Sequence, residues 1–502
     1  MRFLKILLKV FGGLLLLIVV LLACMLAPVD DTPYQQTAYY QQWKKSIDSL
    51  QQEMGGQVSV GFKPTDTLDT LRTNQSKLRP LLRQGYKRTH NSDPSYVRVT
   101  KELATRNSQL KVGWAKVNFT PKSPTSTAGY GVRRGALYQS VHDSIYVRAV
   151  VFDNGTIKAA IVAADLLIMP PAVIEQLKTR LKATGIPFEQ VYFGATHSHN
   201  SMGGWSGGMV GEMFGGKFKP ENVTWITSAI VKAVTEAQKN LQTAVIDYGA
   251  KADTARVRNR AFKEGVIDPY LRTIQISRKD GKKALLCSYS AHSTILSSDN
   301  IVLSRDYPGV LVDSLEKGEA DFALFMAGAV GSMGPKIEGE TDLIQMVAQA
   351  DSLETDVQQQ LLEMPKAVAI PNIRFKMVTL PLPLREPNPR VTLGWRLRPW
   401  VFHWAFGDFP NYIKAMRIGN ILMVGVPCDF SGELIADLSA YAQKKNLKLM
   451  ITSFNGGYIG YITPDKYYDR DTYETLTMNW FGPYNGAYFQ EIIRDLIDKM
   501  SS

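Results

Sequence analysis

Hydrophobic and polar positions follow three regimes along this chain. Arg2, Lys5 and Lys9 precede an uncharged run from Val10 to Val29, and Asp30 and Asp31 close it. A run of about twenty apolar residues is long enough for a helix to cross a bilayer. The basic flank before it and the acidic one after it direct the rest of the chain to the exported side. The expectation is therefore an N-terminal transmembrane helix or signal segment over 1–29, with the remainder periplasmic or extracellular. Residues 30–110 are polar and carry helical-looking stretches, Gln41 to Gln52 and Lys77 to Arg83, which read as a short helical stalk or cap. Between Arg72 and Lys101 basic residues far outnumber Asp93. That excess suits either lipid head groups or an ordinary solvated helical face.

From Val112 the pattern changes to short apolar strands alternating with amphipathic helices. Ser144 to Phe152 and Ile157 to Ala164 are strand-like around Asp153-Asn154-Gly155, a hairpin signal. Pro171 to Ala183 and Thr224 to Leu241 show apolar residues at three-to-four spacing, hence helices. The fold class expected over 111–502 is α/β, mixed β-sheets flanked by helices, with no internal repeat.

Composition narrows the setting. Cys24, Cys287 and Cys428 are the three cysteines. Cys24 ends Leu21-Leu22-Ala23-Cys24, which resembles a lipoprotein cleavage site and offers attachment through Cys24 as an alternative to the anchor. The other two sit in apolar runs as buried small hydrophobes, so no disulfide framework is indicated. A net charge of +12 on an exported, tethered protein favours anionic head groups as its partner. No motif supports nucleic acid, and the oligomeric state is not legible.

The candidate chemistry gathers at strand ends. Val191 to Ala195 is an apolar run followed by His197-Ser198-His199 and a glycine-rich stretch, in a protein with only six histidines. Residues two apart on a strand point the same way, so this spacing suits a metal site, although His-x-His also arises by chance on sheet edges. His292 follows the strand Ala284 to Cys287 in an equivalent place. Asp429 follows the apolar run Ile421 to Val426, and a buried carboxylate there needs a partner such as a cation. It also suits the N-cap of a helix starting near Gly432. Asp165 and Asp306 are further acids near strand ends, open to a capping role or to orienting a histidine.

These residues carry a resemblance. From Val112-Gly113-Trp114-Ala115-Lys116-Val117 to the C-terminal helix the chain resembles the catalytic domain of the neutral/alkaline, non-lysosomal ceramidase family. The family's C-terminal immunoglobulin-like domain is not among the parts that the resemblance leads one to expect. Ala195-Thr196-His197-Ser198-His199 is similar to the family's A-T-H-T-H signature, with Asn200-Ser201-Met202 where the family has Ser-Gly-Pro. The resemblance implies one Zn2+ per chain, held by His197, His292, Asp429 and Tyr461, with His199 facing substrate. Asp429, in Pro427-Cys428-Asp429-Phe430-Ser431, replaces a glutamate of the family's P-G-E-F-T segment and shortens its reach by one methylene. Tyr461, in Tyr458-Ile459-Gly460-Tyr461, matches the tyrosine ligand.

One departure bears on mechanism. The family serine assigned as nucleophile falls on Gly334 in Gly331-Ser332-Met333-Gly334-Pro335; Ser332, two residues earlier, is the remaining hydroxyl candidate. The resemblance thus implies hydrolysis of the N-acyl amide of ceramide or a related lipid through zinc-activated water, with His199 as proton carrier. Loss of the serine leaves a silent lipid-binding relative, or a hydrolase of a different amide or ester, as the alternatives. A lipid substrate needs an apolar route, and Trp395 to Tyr412 holds seven aromatics interleaved with Arg396, Arg398 and His403. That segment reads equally as a membrane interface or as a buried cluster.

Overall fold

The computed structural model describes residues 2–55, 98–100, 109–336, 339–364, 373–407 and 411–501. Two sheets carry the architecture. The first runs through eight strands, β2 (Lys111–Asn118), β3 (Tyr146–Asp153), β4 (Lys158–Ala164), β5 (Val191–Ala195), β6 (Gln242–Ala252), β7 (Tyr270–Arg278), β8 (Lys283–Tyr289) and β9 (Phe322–Ala327), in the spatial order β9-β8-β7-β6-β2-β3-β4-β5. The second joins β1 (Arg98–Thr100), β10 (Phe375–Pro381), β11 (Tyr412–Ile418), β12 (Ile421–Gly425) and β13 (Lys448–Thr452) in that order. Both sheets are mixed: β4–β5, β8–β9 and β12–β13 are parallel pairs, and their other neighbours are antiparallel.

Alternation along each strand assigns its two faces. In β3, Val147, Ala149 and Val151 face one core while Val150 and Phe152 face another. In β12, Ile421 and Met423 share that second core, and Leu422 and Val424 face away from it. The sheets therefore pack face to face across a common apolar layer, and each is covered on its outer side by helices. Strands buried on both faces lose the polar half of the alternation, hence the near-continuous apolar runs in the sequence. Outside the first sheet lie α3 (Pro171–Arg180), α5 (Pro220–Gln238), α6 (Asp306–Gly318) and α7 (Asp342–Glu363); outside the second lie α2 (Ala38–Gly55), α9 (Ile435–Lys444) and α10 (Asn485–Ser501). The α/β class, the hairpin at Asp153-Asn154-Gly155 and the two helices expected after it are present, with Asp153 paired to Lys158.

The N-terminal expectation needs correcting. Helix α1 (Arg2–Met25) stops short of Val29, because residues before a proline avoid helical ψ and Pro28 lacks an N–H. Leu26–Pro28 instead pairs antiparallel with Trp395–Leu397. The helical part of the uncharged run, Val10 to Met25, rises roughly 24 Å, short of a hydrocarbon core of about 30 Å. Among the described residues no helix is long and apolar enough to cross a membrane. Helix α2 contains the expected stretch Gln41 to Gln52, and its Trp43, Ile47 and Leu50 pack with α10 in the core of the second sheet. The stretch Lys77 to Arg83, and nearly all of the basic segment around it, lies outside the described residues. Cys24 is exposed; Cys287 and Cys428 are buried and free.

Candidate metal centre

Three strands, β5, β8 and β12, each one member of a parallel pair, are followed by the loops that deliver the candidate side chains to one place. Thr196 extends the β4–β5 pairing by donating to the Ala164 carbonyl, and His197 N–H then turns to Leu166 O. His197 itself has φ 62, a left-handed conformation that costs a side-chain-bearing residue about 1–3 kcal/mol. His197 and His199 thus do not share one face of a strand end, as the spacing of two had suggested. The chain leaves the strand at His197, and this turn, not the period of two, brings the rings together. Phe454 stacks on His197 at 4.1 Å between centroids, and Tyr130 lies 4.9 Å from His199.

The hydrogen bonds assign the tautomers. His197 Nδ1 lies 2.6 Å from Leu167 O and His292 Nδ1 3.0 Å from Val330 O. A carbonyl only accepts, so both Nδ1 atoms carry the proton and both Nε2 atoms present lone pairs. Those two Nε2 atoms are 2.7 Å apart, and His199 Nε2 lies 3.3 Å from His197 Nε2. Burial holds all three imidazoles neutral: His197 is pushed down to about 3, and His199 and His292 fall well below the usual histidine range for the same reason. Asp429 Oδ1 completes the convergence at 3.5 Å from His197 Nε2 and 3.8 Å from His292 Nε2. Since neither imidazole is protonated, these contacts are not ion pairs. Asp429 Oδ1 is buried and has no hydrogen-bond partner among the described residues, and burial raises the Asp429 carboxyl to about 7.

Electron pairs facing one another in a dry pocket repel, unless a cation sits among them. His197, His199 and His292 offer donor atoms within 4.8 Å of one another and could hold a metal ion. With Asp429 Oδ1, the donor set is nitrogen and carboxylate oxygen, which suits zinc.

Tyr461 stands beside Asp429, since Asp429-Phe430 pairs with Tyr461-Ile462 as a short parallel ladder. Its hydroxyl accepts from Arg260 Nη2 at 2.8 Å. Asp429 is in this ladder and caps no helix; the N-cap of the following turn is Ser431, whose Oγ accepts from Glu433 N–H. Ser332 Oγ shares a hydrogen bond with Ser431 Oγ at 2.8 Å, and no histidine is bonded to it. Gly334 lies in Met333–Pro335, which pairs with Val257–Asn259, and a Cβ there would sit 3.5 Å from Arg260 Cβ and Cδ. Asp165 accepts from Tyr146 N–H, and Asp306 from Leu296 and Tyr307 N–H; both serve backbone.

Two residues escaped the sequence reading. Arg260 is half-buried beside the centre and pairs with Glu474; in the chain it is one arginine among many basic residues. Tyr458 donates to Asp429 Oδ2 at 2.7 Å, and the sequence offered only its place three residues before Tyr461. The aromatic segment divides by helical period in α8 (Pro399–Phe406): Phe402 and Phe406 stack at 4.3 Å and pack on Trp480, whereas Trp400 and Trp404 are exposed on the opposite side. Phe409 lies outside the described residues.

The chain is similar to known proteins in sequence and in fold. Residues 111–352 match the family described as neutral/alkaline non-lysosomal ceramidase, N-terminal. That span includes His197, His199, His292, Ser332 and Gly334, and not Asp429 or Tyr461. The chain is 24% identical over 241 residues to a neutral ceramidase of Mycobacterium tuberculosis, covering 42% of this chain and 38% of that one. It is 27% identical over 199 residues to a neutral ceramidase of Pseudomonas aeruginosa, covering 36% of this chain and 28% of that one. The aligned regions thus span well under half the length of these curated relatives. The crystal structure of neutral ceramidase from Pseudomonas aeruginosa is similar in fold, with a TM-score of 0.67 at 18% identity over 78% of this chain and 74% of that one. A structure described as ceramidase complexed with C2 gives 0.68 at 17% identity, over 78% and 75%.

Proposed function

From the neutral/alkaline ceramidase resemblance that residues 111–352 carry, we propose that this protein is a zinc-dependent amidohydrolase that cleaves the N-acyl amide of ceramide or a related lipid. The observation that carries the reading is the meeting of His197 Nε2 and His292 Nε2 with the unpartnered Asp429 Oδ1. In this reading His197, His292 and Asp429 hold the ion and Tyr461 completes the set from the neighbouring strand. Bound there, zinc supplies Lewis acidity that polarises an amide carbonyl and brings the pKa of water to about 7.

The protein's own residues supply the rest. Leu167 O and Val330 O fix the two ligand rings in the tautomer that presents Nε2. Arg260 holds the Tyr461 hydroxyl and adds positive charge beside the centre, suited to a developing oxyanion. His199 is neutral, adjoins His197, and has a buried Nδ1 without a partner. A neutral imidazole with a free nitrogen can take a proton from an attacking water and return it to the leaving amine. Glycine at 334 provides no hydroxyl, and Ser332 is bonded to Ser431, so water is the attacking group in this scheme. An exported, membrane-associated location completes the proposal, supported by the exposed apolar residues from Val10 to Leu22.

The test is metal content together with ceramide amidase activity, for the wild-type chain and for His197→Ala and His292→Ala. About one zinc per chain, with turnover that both substitutions abolish, supports the proposal. Zinc without ceramide turnover redirects it to another amide or ester, and absence of both leaves a silent lipid-binding protein.

A further inference from the structure

The exposed aromatic residues are placed with respect to the N-terminal helix in a way the sequence does not show. Trp395, Trp400 and Trp404 are 51%, 48% and 68% exposed, an unusual concentration for the side chain with the largest apolar surface. They lie where α1 leaves the body of the protein. Leu26 pairs with Leu397 and Pro28 with Trp395. Arg398 N–H donates to Met25 O, Arg398 Nε to Leu26 O, and Trp400 Nε1 to Cys24 O at 3.1 Å. The helix end is thus bonded to the tryptophan-bearing segment, and α1 itself carries exposed apolar side chains from Val10 to Leu22.

A second element extends it toward the metal centre. Helix α4 (Met209–Gly215) packs on α8, and a Cβ on Gly208 would lie 3.3 Å from Ala405 O. Met209 and Met213 on α4 are exposed. Behind α4, Phe214 O accepts from Gly129 N–H, and the Gly129 backbone lies directly on the His199 ring. Behind α8, Phe402 and Phe406 meet Trp480, Trp480 meets Tyr458 at 5.6 Å, and Tyr458 bonds Asp429. One outward apolar surface is therefore backed on both sides by the residues of the centre.

We propose that Trp395, Trp400 and Trp404, with Met209 and Met213, form a docking surface for a bilayer containing anionic lipid, and that the end of α1 is fixed to it so that the metal centre faces the membrane. Tryptophan beside arginine is the composition of a membrane interface. Arg396 and Arg398 flank the tryptophans and donate to the uncharged carbonyl oxygens of Pro28 and Leu26; Asp30 and Glu386 face Arg396, and with Arg385 the three arginines outnumber them, which leaves positive charge for head groups. The bonds at the end of α1 fix this surface in one orientation relative to the helix. The inference rests on the lipid-substrate reading only for its purpose, and lipid contact is measurable without turnover.

The experiment uses the full chain with vesicles of phosphatidylcholine containing one third phosphatidylglycerol, the phosphatidylcholine carrying brominated acyl chains. Tryptophan fluorescence should be quenched, and the triple variant W395F/W400F/W404F, which keeps the apolar volume, should lose most of that quenching while remaining bound. The variant W395S/W404S should lower hydrolysis of vesicle-borne ceramide by about tenfold and leave hydrolysis of a soluble short-chain ceramide unchanged. Quenching that survives the phenylalanine variant, no quenching at all, or a lipid-free dimer that shields the tryptophans would each overturn the proposal. Failure of ceramide hydrolysis alongside intact quenching would count against the catalytic reading and not against this one.

Discussion

Tyr458 gives its phenolic hydrogen to Asp429 Oδ2 at 2.7 Å, and so leaves Oδ1 as the oxygen that faces His197 and His292. An aspartate here has one methylene less than the glutamate of the resembling family. Fixing its second oxygen holds the shorter carboxylate in the direction of the histidines. Tyr458→Phe keeps the ring that packs between Phe454 and Trp480 and removes only this bond. Zinc affinity should fall by about 10- to 100-fold, read by competition with a chromophoric chelator, with the far-UV circular dichroism unchanged. Affinity equal to wild type would show that Asp429 needs no such support.

Gly129 tests the role of His199 without touching it. Its φ is +118, and a Cβ there would lie 2.6 Å from His199 Nδ1. Gly129→Ala must therefore push the ring aside. Displacement of a proton-carrying group by about 1 Å can cost about 100-fold in rate. The expected outcome is turnover reduced by at least tenfold with zinc content maintained. Zinc lost together with activity would instead make His199 a ligand.

Gly334→Ser restores the hydroxyl of the resembling family. The new Cβ would make ordinary contact with Arg260, and the backbone carries no left-handed strain. Because Gly334 is buried, the added hydroxyl should cost about 1–3 kcal/mol of stability unless it gains a hydrogen-bond partner. If water is the attacking group, pre-steady-state hydrolysis should remain free of an acyl-enzyme burst in the wild-type chain. A burst in wild type would point to another nucleophile, and Ser332→Ala would then identify or exclude that hydroxyl.

Asp165 sets a dependence of stability on pH. Burial outweighs the attraction of Arg305, 4.0 Å away, and raises its carboxyl from 3.8 to about 6. Between those values the folded state binds a proton that the unfolded chain has released. The stabilisation is therefore complete below pH 4 and is lost as pH rises through 6, amounting to about 3 kcal/mol across the window. Asp165→Asn keeps an acceptor for Tyr146 N–H and should make this slope shallower in urea titrations at pH 4 to 7, Asp306 and Asp429, which burial also raises, keeping the remainder. An unaltered slope would assign it to other carboxyls.

How far each feature was legible depends on the range of the interactions behind it. The strands β3, β4, β5 and β12, the hairpin between β3 and β4, and helices α3 and α5 were readable, because period and turn residues are local properties. His197, His199, His292 and Asp429 were found because each follows an apolar run, which is a local pattern as well. Tyr461 was placed only by resemblance; in the fold it pairs with Asp429 in a short ladder and its hydroxyl accepts from Arg260. Arg260 and Tyr458 were not found as partners of the centre: an arginine among many and a tyrosine among 22 carry no signal until the fold sets them beside it.

By itself, then, the sequence determined the mixed α/β class, the buried free cysteines and a set of ligand-type side chains at strand ends, all written in spacing and composition. Tertiary structure decided that α1 ends at Met25 and is bonded to the tryptophan segment, through pairings between residues some 370 positions apart. It decided too that Trp400 and Trp404 face out while Phe402 and Phe406 face in. Above all it decided that His197 leaves its strand in a left-handed turn, which no period foretells, since only the contacts of the closed fold compensate for the strain that brings three imidazoles and a carboxylate to one point.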